Sequence, residues 1–485
     1  MILSLLLFTN FKKSIIIYKK YKIRGKNMSK KLKNYLSNIN GVVHTTFNPK
    51  GPGVIRLHLI PPKKIKTGVP WVVIINGQDI LPITCGWAIL LKLFIEEINK
   101  TYGKSFSDDE INNIVKKTCN SMGKLYLKTD KEIFKKDLND MIKTFENIAK
   151  GETPSLTTGF MSLKDYAKFM QAPHRMDLMI SSMCQNGHWH CNQKCLHCYA
   201  GDQEYAVKEE LSTEEWKHII DECRKACIPQ ITFTGGEPTL RSDLVELVEY
   251  SSWFVTRLNT NGILLSKELC KRLYDASLDS VQVTLYSHEE HIHNLLVGAN
   301  TFNKTIEGIK NAVEAGLNVS INTPLCSLNK NYIELLKFAH DELGVNYFTC
   351  SGIIITGNAK KQDALDSQLS KEEMKNVITD ASYFAIKYDL GLNFTSPGWI
   401  DGTILKQLKL NIPSCGACLS NMAIAPDGTV VPCQSWLNKD QLGNLLHDEF
   451  KVIWNSKNVK KIRKSHLKYY NLCPLNELTK QGGSK

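Results

Sequence analysis

No aspartate or glutamate occurs before Asp79, although the first 78 residues hold 15 lysines and arginines. The formal charge of +13 is therefore local, because beyond that point 46 basic residues face 48 acidic ones. The excess concentrates in the Lys-rich stretch from Lys12 to Lys33. A segment this polar and this charged reads as a disordered tail, with contact to nucleic acid or anionic lipid as the competing use. Also missing is an apolar run of about 18–20 residues, the length that crosses a bilayer. The N-terminal apolar run Ile2–Phe8 has its lysines after it and no small-residue cleavage site, the reverse of a secretory signal. Neither a membrane span nor an exported protein is expected, and the expected compartment is the cytoplasm. Met28-Ser-Lys-Lys reads as a more natural start, so residues 1–27 are expected to be an extension. Low-complexity blocks are absent, as are internal repeats beyond an alternation of strands and helices.

Against these absences stand 15 cysteines in 485 residues. Without an export signal they argue for metal ligation rather than a disulfide framework. Eight of them, Cys85, Cys119, Cys184, Cys223, Cys227, Cys270, Cys326 and Cys350, have no ligand spacing and are expected to be mostly buried small hydrophobes. Chain length leaves room for two to four domains at roughly 100–200 residues each. A hydrophobic content of 42% and a charged content of 22% suffice for ordinary cores.

Pattern divides the chain into a basic tail (1–40), a front module (41–153), a core (174–360) and a C-terminal domain (361–485). The front module has β-rich runs at Val54–Ile60 and Trp71–Ile75, split by Pro61-Pro62. Helices are expected at Gly86–Lys100, Asp108–Met122 and Lys131–Lys150. In the last, Ile133, Phe134, Leu138, Met141, Ile142 and Phe145 share a face, and Gly151 and Pro154 end it. Strands followed by three helices suggest a winged-helix-like α+β module. In the core, short apolar strands at Leu178–Met183, Gln230–Thr234, Phe254–Leu258, Ser280–Leu285, Asn318–Asn322 and Tyr347–Ile355 alternate with helices such as Thr213–Ala226 and Phe302–Ala315. Six such units predict an α/β fold whose parallel strands form a partial or full barrel with helices outside.

The decisive stretch is His190-Cys-Asn-Gln-Lys-Cys-Leu-His-Cys-Tyr199, which spaces Cys191, Cys195 and Cys198 as Cys-x3-Cys-x2-Cys. Three thiolates do not complete a tetrahedral zinc site, and no fourth follows at ferredoxin spacing. They suit a cubane whose fourth iron stays open to a small ligand; a zinc or unrelated thiol loop is the competing reading. The loop follows a predicted strand, at the sheet end where such folds bind ligands. One strand–helix unit later comes Thr234-Gly-Gly-Glu-Pro238, where glycines permit close backbone approach and Glu237 can accept from an ammonium.

The cysteine loop together with Gly-Gly-Glu-Pro resembles the radical SAM superfamily, which implies a partial (β/α)6 TIM-like barrel. By that resemblance Cys191, Cys195 and Cys198 ligate a [4Fe–4S] cluster whose fourth iron is chelated by S-adenosylmethionine. Gly235, Gly236 and Glu237 would hold the methionyl amino group, His197 would lie beside the adenine, and Thr284 in Val-Gln-Val-Thr-Leu would contact the ribose. The Asp-Gly common after that strand is replaced by Tyr286-Ser287, a departure that touches the ribose assignment. Asn259 and Asn261 of Asn-Thr-Asn-Gly262 line the cavity or form a strand-end turn.

Near the C-terminus Cys415-Gly-Ala-Cys418, Cys433 and Cys473 make a second set of four thiols around Ala-Pro-Asp-Gly-Thr-Val-Val-Pro-Cys433, whose Asp427-Gly428 turn fits a β-hairpin. This text resembles the SPASM/twitch extension of radical SAM enzymes and implies one auxiliary [4Fe–4S] cluster. Fewer cysteines follow near Cys473 than a second cluster needs, and a four-thiolate zinc knuckle also fits the count. The front module resembles, by pattern and position, the leader-peptide recognition element of peptide-modifying members, whose edge strand pairs with a precursor peptide. Together these imply a maturase of a ribosomally made peptide that forms a thioether or other crosslink and is served by an electron donor such as a flavodoxin or ferredoxin. The other readings are a radical SAM enzyme for a protein side chain or small molecule, and a non-catalytic iron–sulfur regulator.

Overall fold

A computed structural model describes residues 30–39, 43–47, 55–65, 69–77, 79–100, 106–150, 152–154, 161–185, 188–437, 441–469 and 471–475. The Ile2–Phe8 run, most of the Lys12–Lys33 stretch, Val54 and Gly151 lie outside the described residues. The chain divides into two compact units.

The first unit runs to Ala172 and includes Lys225–Pro229. Its strands β1 (Val43–Phe47), β2 (Ile55–Ile60), β3 (Trp71–Ile75) and β4 (Asp79–Ile83) form an antiparallel meander in that order. β3 is buried along its whole length, as a strand with neighbours on both edges should be. Pro82 lacks an N–H for a second ladder and sits in the edge strand β4, where that loss is tolerated. Three helices follow at Cys85–Asn99, Asp108–Leu125 and Lys131–Ala149. Each start is fixed by an oxygen that accepts an otherwise orphaned N–H: Thr84, the reciprocal Ser107–Glu110 box, and Asp130. Ile89, Phe94, Leu138, Met141 and Phe145 pack onto Leu59, Trp71 and Val73. Burying each such aliphatic or aromatic side chain is worth about 1.5–3 kcal/mol. Ile133, assigned by spacing to the buried face, is 46% exposed, because that face begins one residue later at Phe134.

The second unit is built on a single ten-stranded sheet. β5 (Arg175–Ser181), β8 (Gln230–Gly235), β9 (Val255–Thr260), β10 (Ser280–Thr284), β11 (Asn318–Leu325) and β12 (Tyr347–Gly352) run parallel in that spatial order; β6 (Cys184–Gln185) and β7 (His188–Trp189) form a separate ribbon. The sheet does not stop at these six. β13 (Gly391–Phe394) pairs parallel with β12, and β14 (Asn421–Ile424) pairs parallel with β5 on the other side. β15 (Thr429–Val431) and β16 (Gly443–Asn444) then continue antiparallel from β14.

Parallel strands covered on both faces read as continuous apolar runs. These strands alternate instead. Ile231, Phe233, Val281, Val283, Ile321 and Phe348 are buried, whereas Gln282, Thr284, Asn322 and Thr349 are partly exposed. Register aligns the polar set: Asn259 faces Gln282, Thr284 faces Asn322, and Asn322 faces Thr349. One face of the sheet is an apolar bed and the other a polar floor. Gln282 Nε2 donates to Thr349 Oγ1 at 3.1 Å, and that hydroxyl donates to Asn322 Oδ1 at 2.9 Å.

Candidate functional site

The three-cysteine loop lies beyond the carboxyl end of β5 and is held from several sides. His190 N donates to Met183 O at 2.6 Å. Lys194 N and Leu196 N donate to Val297 O and Leu296 O, both at 2.9 Å, at the end of the Glu290–Val297 helix. Asn358 fastens the far side: its N–H donates to Cys198 O at 2.9 Å and its Nδ2 to Cys195 O at 3.2 Å. Two glycines let these segments come so close. A Cβ on Gly298 (φ +64°) would lie 2.6 Å from Lys194 O, and one on Gly357 (φ +57°) would lie 2.4 Å from both Cys198 O and Tyr199 O.

The thiols sense one another. Burial pushes Cys191 up to about 12, with Glu237 and Cys198 adding to it. Burial also raises Cys195, which Cys198, Cys191 and Glu237 raise further, and it raises Cys198. Protonated thiols are disfavoured here only by a cation that neutralises the set. Among the described residues no three His, Cys, Asp or Glu side chains converge on one point as they would around a single metal ion. A cubane asks for something different, since each thiolate meets its own iron.

Gly235 and Gly236 pack against Ser181 and Ser182. Cβ atoms there would stand 2.3 Å from Ser181 O and Ser182 O, and Gly235 has φ +146°. The glycines are thus demanded by the approach of β8 to β5, where the ladder slips between Met179 and Ser181, before any ligand is considered. Glu237 is 1% exposed. Its Oε1 accepts from Thr239 N (3.0 Å), Thr239 Oγ1 (2.5 Å) and Thr260 Oγ1 (2.6 Å), and its Oε2 from Asn261 N (2.8 Å). Burial still raises its pKa, which these donors oppose. A carboxylate offers about four lone pairs, so Oε2 keeps capacity for one more donor. Asn261 Nδ2 donates to Asn192 Oδ1 at 2.5 Å, so one chain of hydrogen bonds ties the cysteine loop to the ends of β8 and β9.

His197 is buried, and burial pushes its pKa down to about 4, which keeps the ring neutral. Its Nε2 lies 2.7 Å from Ser367 Oγ, and its ring is 6.2 Å from that of Tyr286. Thr284 ends β10 on the polar floor; Asn259 lies on that floor too, whereas Asn261 belongs to the buried network.

In the C-terminal set, Cys415 is raised first by a hydrogen bond to Cys473 and then by burial, and Cys433 adds to it. Burial pushes Cys433 up to about 12, again with Cys473 contributing. Cys415, Cys433 and Cys473 therefore come together. Cys418 is fully buried in the same turn at φ +55°, a conformation that non-glycine residues rarely keep without a reason. Arg463 Nε donates to its carbonyl at 2.9 Å, and His466 Nδ1 lies 2.6 Å from Ala417 O and 4.0 Å from Cys415 Sγ. The two cysteine sets are neighbours: Tyr199, next to Cys198, directs its hydroxyl to Gln434 Oε1 at 3.4 Å, next to Cys433.

Several of these residues escaped sequence reasoning. Gly298, Gly357 and Asn358 lie more than 100 residues from the loop they hold, and only their glycine–polar turn text marks them. Glu210 and Arg241 are another pair. Glu210 accepts from Ser182 N (2.8 Å) and sits 2.6 Å from His190 Nδ1, while Arg241 Nη1 donates to Ile180 O (3.1 Å) and Leu211 O (3.0 Å). They brace the shelf on which Gly235 and Gly236 rest.

Comparison with known proteins agrees with this layout. Residues 190–341 match the family model of the radical SAM superfamily, and residues 415–475 match that of the SPASM iron–sulfur cluster-binding domain. The chain therefore carries a region like the radical SAM domain and, C-terminal to it, a region like the SPASM domain. The first domain implies a [4Fe–4S] cluster and S-adenosylmethionine, the second auxiliary iron–sulfur chemistry. The Fe-coproporphyrin III synthase of Methanosarcina barkeri is 31% identical over 39% of this chain and 47% of its own length. The PqqA peptide cyclase of Bradyrhizobium diazoefficiens is 28% identical over 50% of this chain and 64% of its own. The chain spans about half the length of the first curated relatives it matches. Among solved structures, Streptococcus suis SuiB bound to precursor peptide SuiA superposes with a TM-score of 0.53 at 15% identity, covering 81% of this chain and 87% of that one. That likeness concerns the fold. Among the described residues no helix is long and apolar enough to cross a membrane.

Proposed function

We propose that this enzyme matures a ribosomally synthesised peptide by radical chemistry, forming a thioether or another crosslink. The observation that carries the reading is the bonded network in which the Cys191–Cys198 loop, Gly235-Gly236-Glu237 and Asn261 are locked together at the carboxyl end of the sheet. In this reading Cys191, Cys195 and Cys198 hold the [4Fe–4S] cluster, and Glu237 Oε2 with the Gly235-Gly236 backbone receives the methionyl amine. Neutral His197 borders the adenine and Thr284 the ribose. Cys415, Cys418, Cys433 and Cys473 hold one auxiliary cluster. When bound, cluster and S-adenosylmethionine together supply a 5′-deoxyadenosyl radical by one-electron cleavage. The protein's own part is to hold reactants on the polar floor and keep water from the radical. The six central strands form the partial barrel, and the first unit serves as a winged-helix-like module whose edge strand receives the precursor. The name of the related PqqA peptide cyclase and the fold shared with SuiB along most of this chain support a peptide substrate.

The test is anaerobic reconstitution with iron, sulfide, S-adenosylmethionine and dithionite, with a short cysteine-containing peptide encoded beside the gene as substrate. The expected result is 5′-deoxyadenosine together with a peptide lighter by two hydrogens, and loss of both in Cys195→Ala. Cleavage that persists in Cys195→Ala refutes the core assignment. A second reading, a small-molecule substrate, has the Fe-coproporphyrin III synthase relative in its favour. It predicts nucleoside formation that no peptide stimulates.

A further inference from the structure

The helix Lys457–Lys468 forms the outer wall of the C-terminal cysteine site. Its inner face carries Val459, Arg463 and His466. Of these, Arg463 and His466 hydrogen-bond the Cys415–Cys418 turn as described, and the Arg463 guanidinium lies 3.4 Å over the Trp454 ring. Its outer face carries Lys457, Lys461, Lys464 and Lys468 at spacings of four, three and four residues, which places them in one stripe along the helix. All four are exposed, as is Lys460 beside them. No Asp or Glu occurs between Phe450 and Asn476, and among the described residues no carboxylate pairs with the stripe. Some lysines on other helices of this unit are neutralised instead: Lys217 pairs with Glu214 and Glu246, and Lys271 with Asp275. An ordinary solvated surface intersperses the signs. Here a single-sign stripe is fixed to the back of a cysteine turn.

We infer that this stripe is the docking surface for an acidic one-electron carrier protein of the flavodoxin or ferredoxin type. The inference rests on the reading of the C-terminal cysteines as an auxiliary cluster. The carrier places its carboxylates on Lys457, Lys461, Lys464 and Lys468. It is oxidised by one electron, which passes through the helix's inner contacts to the cluster, and no bond is made or broken. Complementary charge of this kind acts on encounter and orientation, and it is screened beyond about 10 Å at 0.1 M salt.

The experiment uses the full chain and an acidic bacterial flavodoxin. Binding is measured at low salt for the wild type and for the variant Lys457→Glu/Lys461→Glu/Lys464→Glu/Lys468→Glu. A control with the same charge change, Lys116→Glu/Lys117→Glu/Lys135→Glu/Lys136→Glu, is measured alongside. Each reversed exposed charge weakens a complementary contact by about two- to fivefold. The stripe variant is therefore expected to raise Kd by more than tenfold, and the control by less than twofold. Equal loss in both variants, or loss in neither, overturns the proposal. So does loss confined to duplex DNA or phosphatidylserine vesicles. Should the Glu variant not fold, the Gln counterpart is expected to lose affinity in the same direction, and an unchanged Kd there refutes the idea equally. The cluster is followed separately, by electron paramagnetic resonance in a Cys191→Ala/Cys195→Ala/Cys198→Ala background. Absence of a reducible cluster with dithionite sinks the auxiliary-cluster reading, whereas a cluster reduced by dithionite and equally fast by flavodoxin in the stripe variant sinks the docking surface.

Discussion

Gly357→Ala separates what the cysteine loop needs from what any left-handed turn needs. Gly357 (φ +57°) and Gly316 (φ +81°) both occupy the region where an added Cβ costs about 1–2 kcal/mol. Around Gly316 the nearest atom to that Cβ is Tyr274 Cε2 at 3.5 Å, ordinary van der Waals contact. Around Gly357 it meets Cys198 O and Tyr199 O at 2.4 Å and Gly201 O at 2.7 Å. These are backbone oxygens, so relief requires the Cys195–Cys198 turn itself to move, and overpacking of this kind costs about 1–3 kcal/mol. Gly316→Ala is expected to lose about 1–2 kcal/mol in urea unfolding while keeping full iron content and full 5′-deoxyadenosine formation. Gly357→Ala is expected to lose about 2–5 kcal/mol and, more tellingly, to lose iron from the three-cysteine site. Iron content is read after anaerobic reconstitution, with Cys415→Ala/Cys418→Ala/Cys433→Ala/Cys473→Ala in both backgrounds so that only this site reports. A Gly357→Ala protein that holds iron and cleaves S-adenosylmethionine as well as Gly316→Ala would refute the claim that this glycine cradles the cluster loop.

Glu237→Gln keeps the shape but turns one acceptor into a donor facing the hydroxyls and N–H groups now satisfied by the carboxylate. A loss of about 1.5–3 kcal/mol per charge-assisted bond predicts a fall of at least tenfold in 5′-deoxyadenosine formation, read by chromatography. Cys433→Ala should leave nucleoside formation largely intact and abolish the crosslinked product in mass spectra; survival of both would remove the auxiliary role. His293 is fully buried, and its Nδ1 accepts from Tyr286 N at 3.3 Å. Burial pushes its pKa down to about 4. The unfolded histidine, near 6.5, takes up a proton first as pH falls. Stability from this group is therefore complete above about pH 7 and declines towards pH 4, by about 2 kcal/mol between pH 7 and 5 at 1.36 kcal/mol per unit. His293→Gln should flatten that slope in urea titrations.

The chemistry-bearing text was legible because it is local. Cys191, Cys195 and Cys198 fall within eight residues, and Gly235-Gly236-Glu237 within three, so the chain itself supplies the proximity. The start of the helix expected from Thr213 is local in the same way: Ser212 N donates to Glu215 Oε2 at 2.8 Å within one turn. What failed was long-range. The alternation of Asn259, Gln282 and Thr349 with apolar neighbours was in plain view but was absorbed into an expectation of apolar strands, and only registry reveals a shared polar floor. The glycine at 357 carries no motif of its own; its meaning comes from two carbonyls about 160 residues earlier. The same holds for Glu237, read as a ligand for an ammonium, whose carboxylate first of all fastens β8 to β9.

Composition changes near residue 360, from strand–helix alternation to loop-rich text, yet the sheet continues across that point, and the continuity bears on function. The backbone returns: Asn421–Ile424 takes the place beside Arg175–Leu178, adding β14 to the strand that leads into the cysteine loop. Such pairing is set by side-chain packing across some 240 residues and leaves no periodicity behind. Met179, Met183, Cys191, Ala200 and Tyr205 consequently share one buried cluster with Ala423, Ala425, Val431 and Leu437, against which Cys198 and Tyr199 pack. The three-cysteine loop therefore rests on a floor to which β14 and β15 contribute. Shortening Val431, which is fully buried in that floor, is felt on both sides: Val431→Ala leaves a void costing about 1–2 kcal/mol. A hinge between two independent domains would confine that disturbance to the auxiliary set, whereas a shared sheet carries it to Cys191 and Cys198 as well.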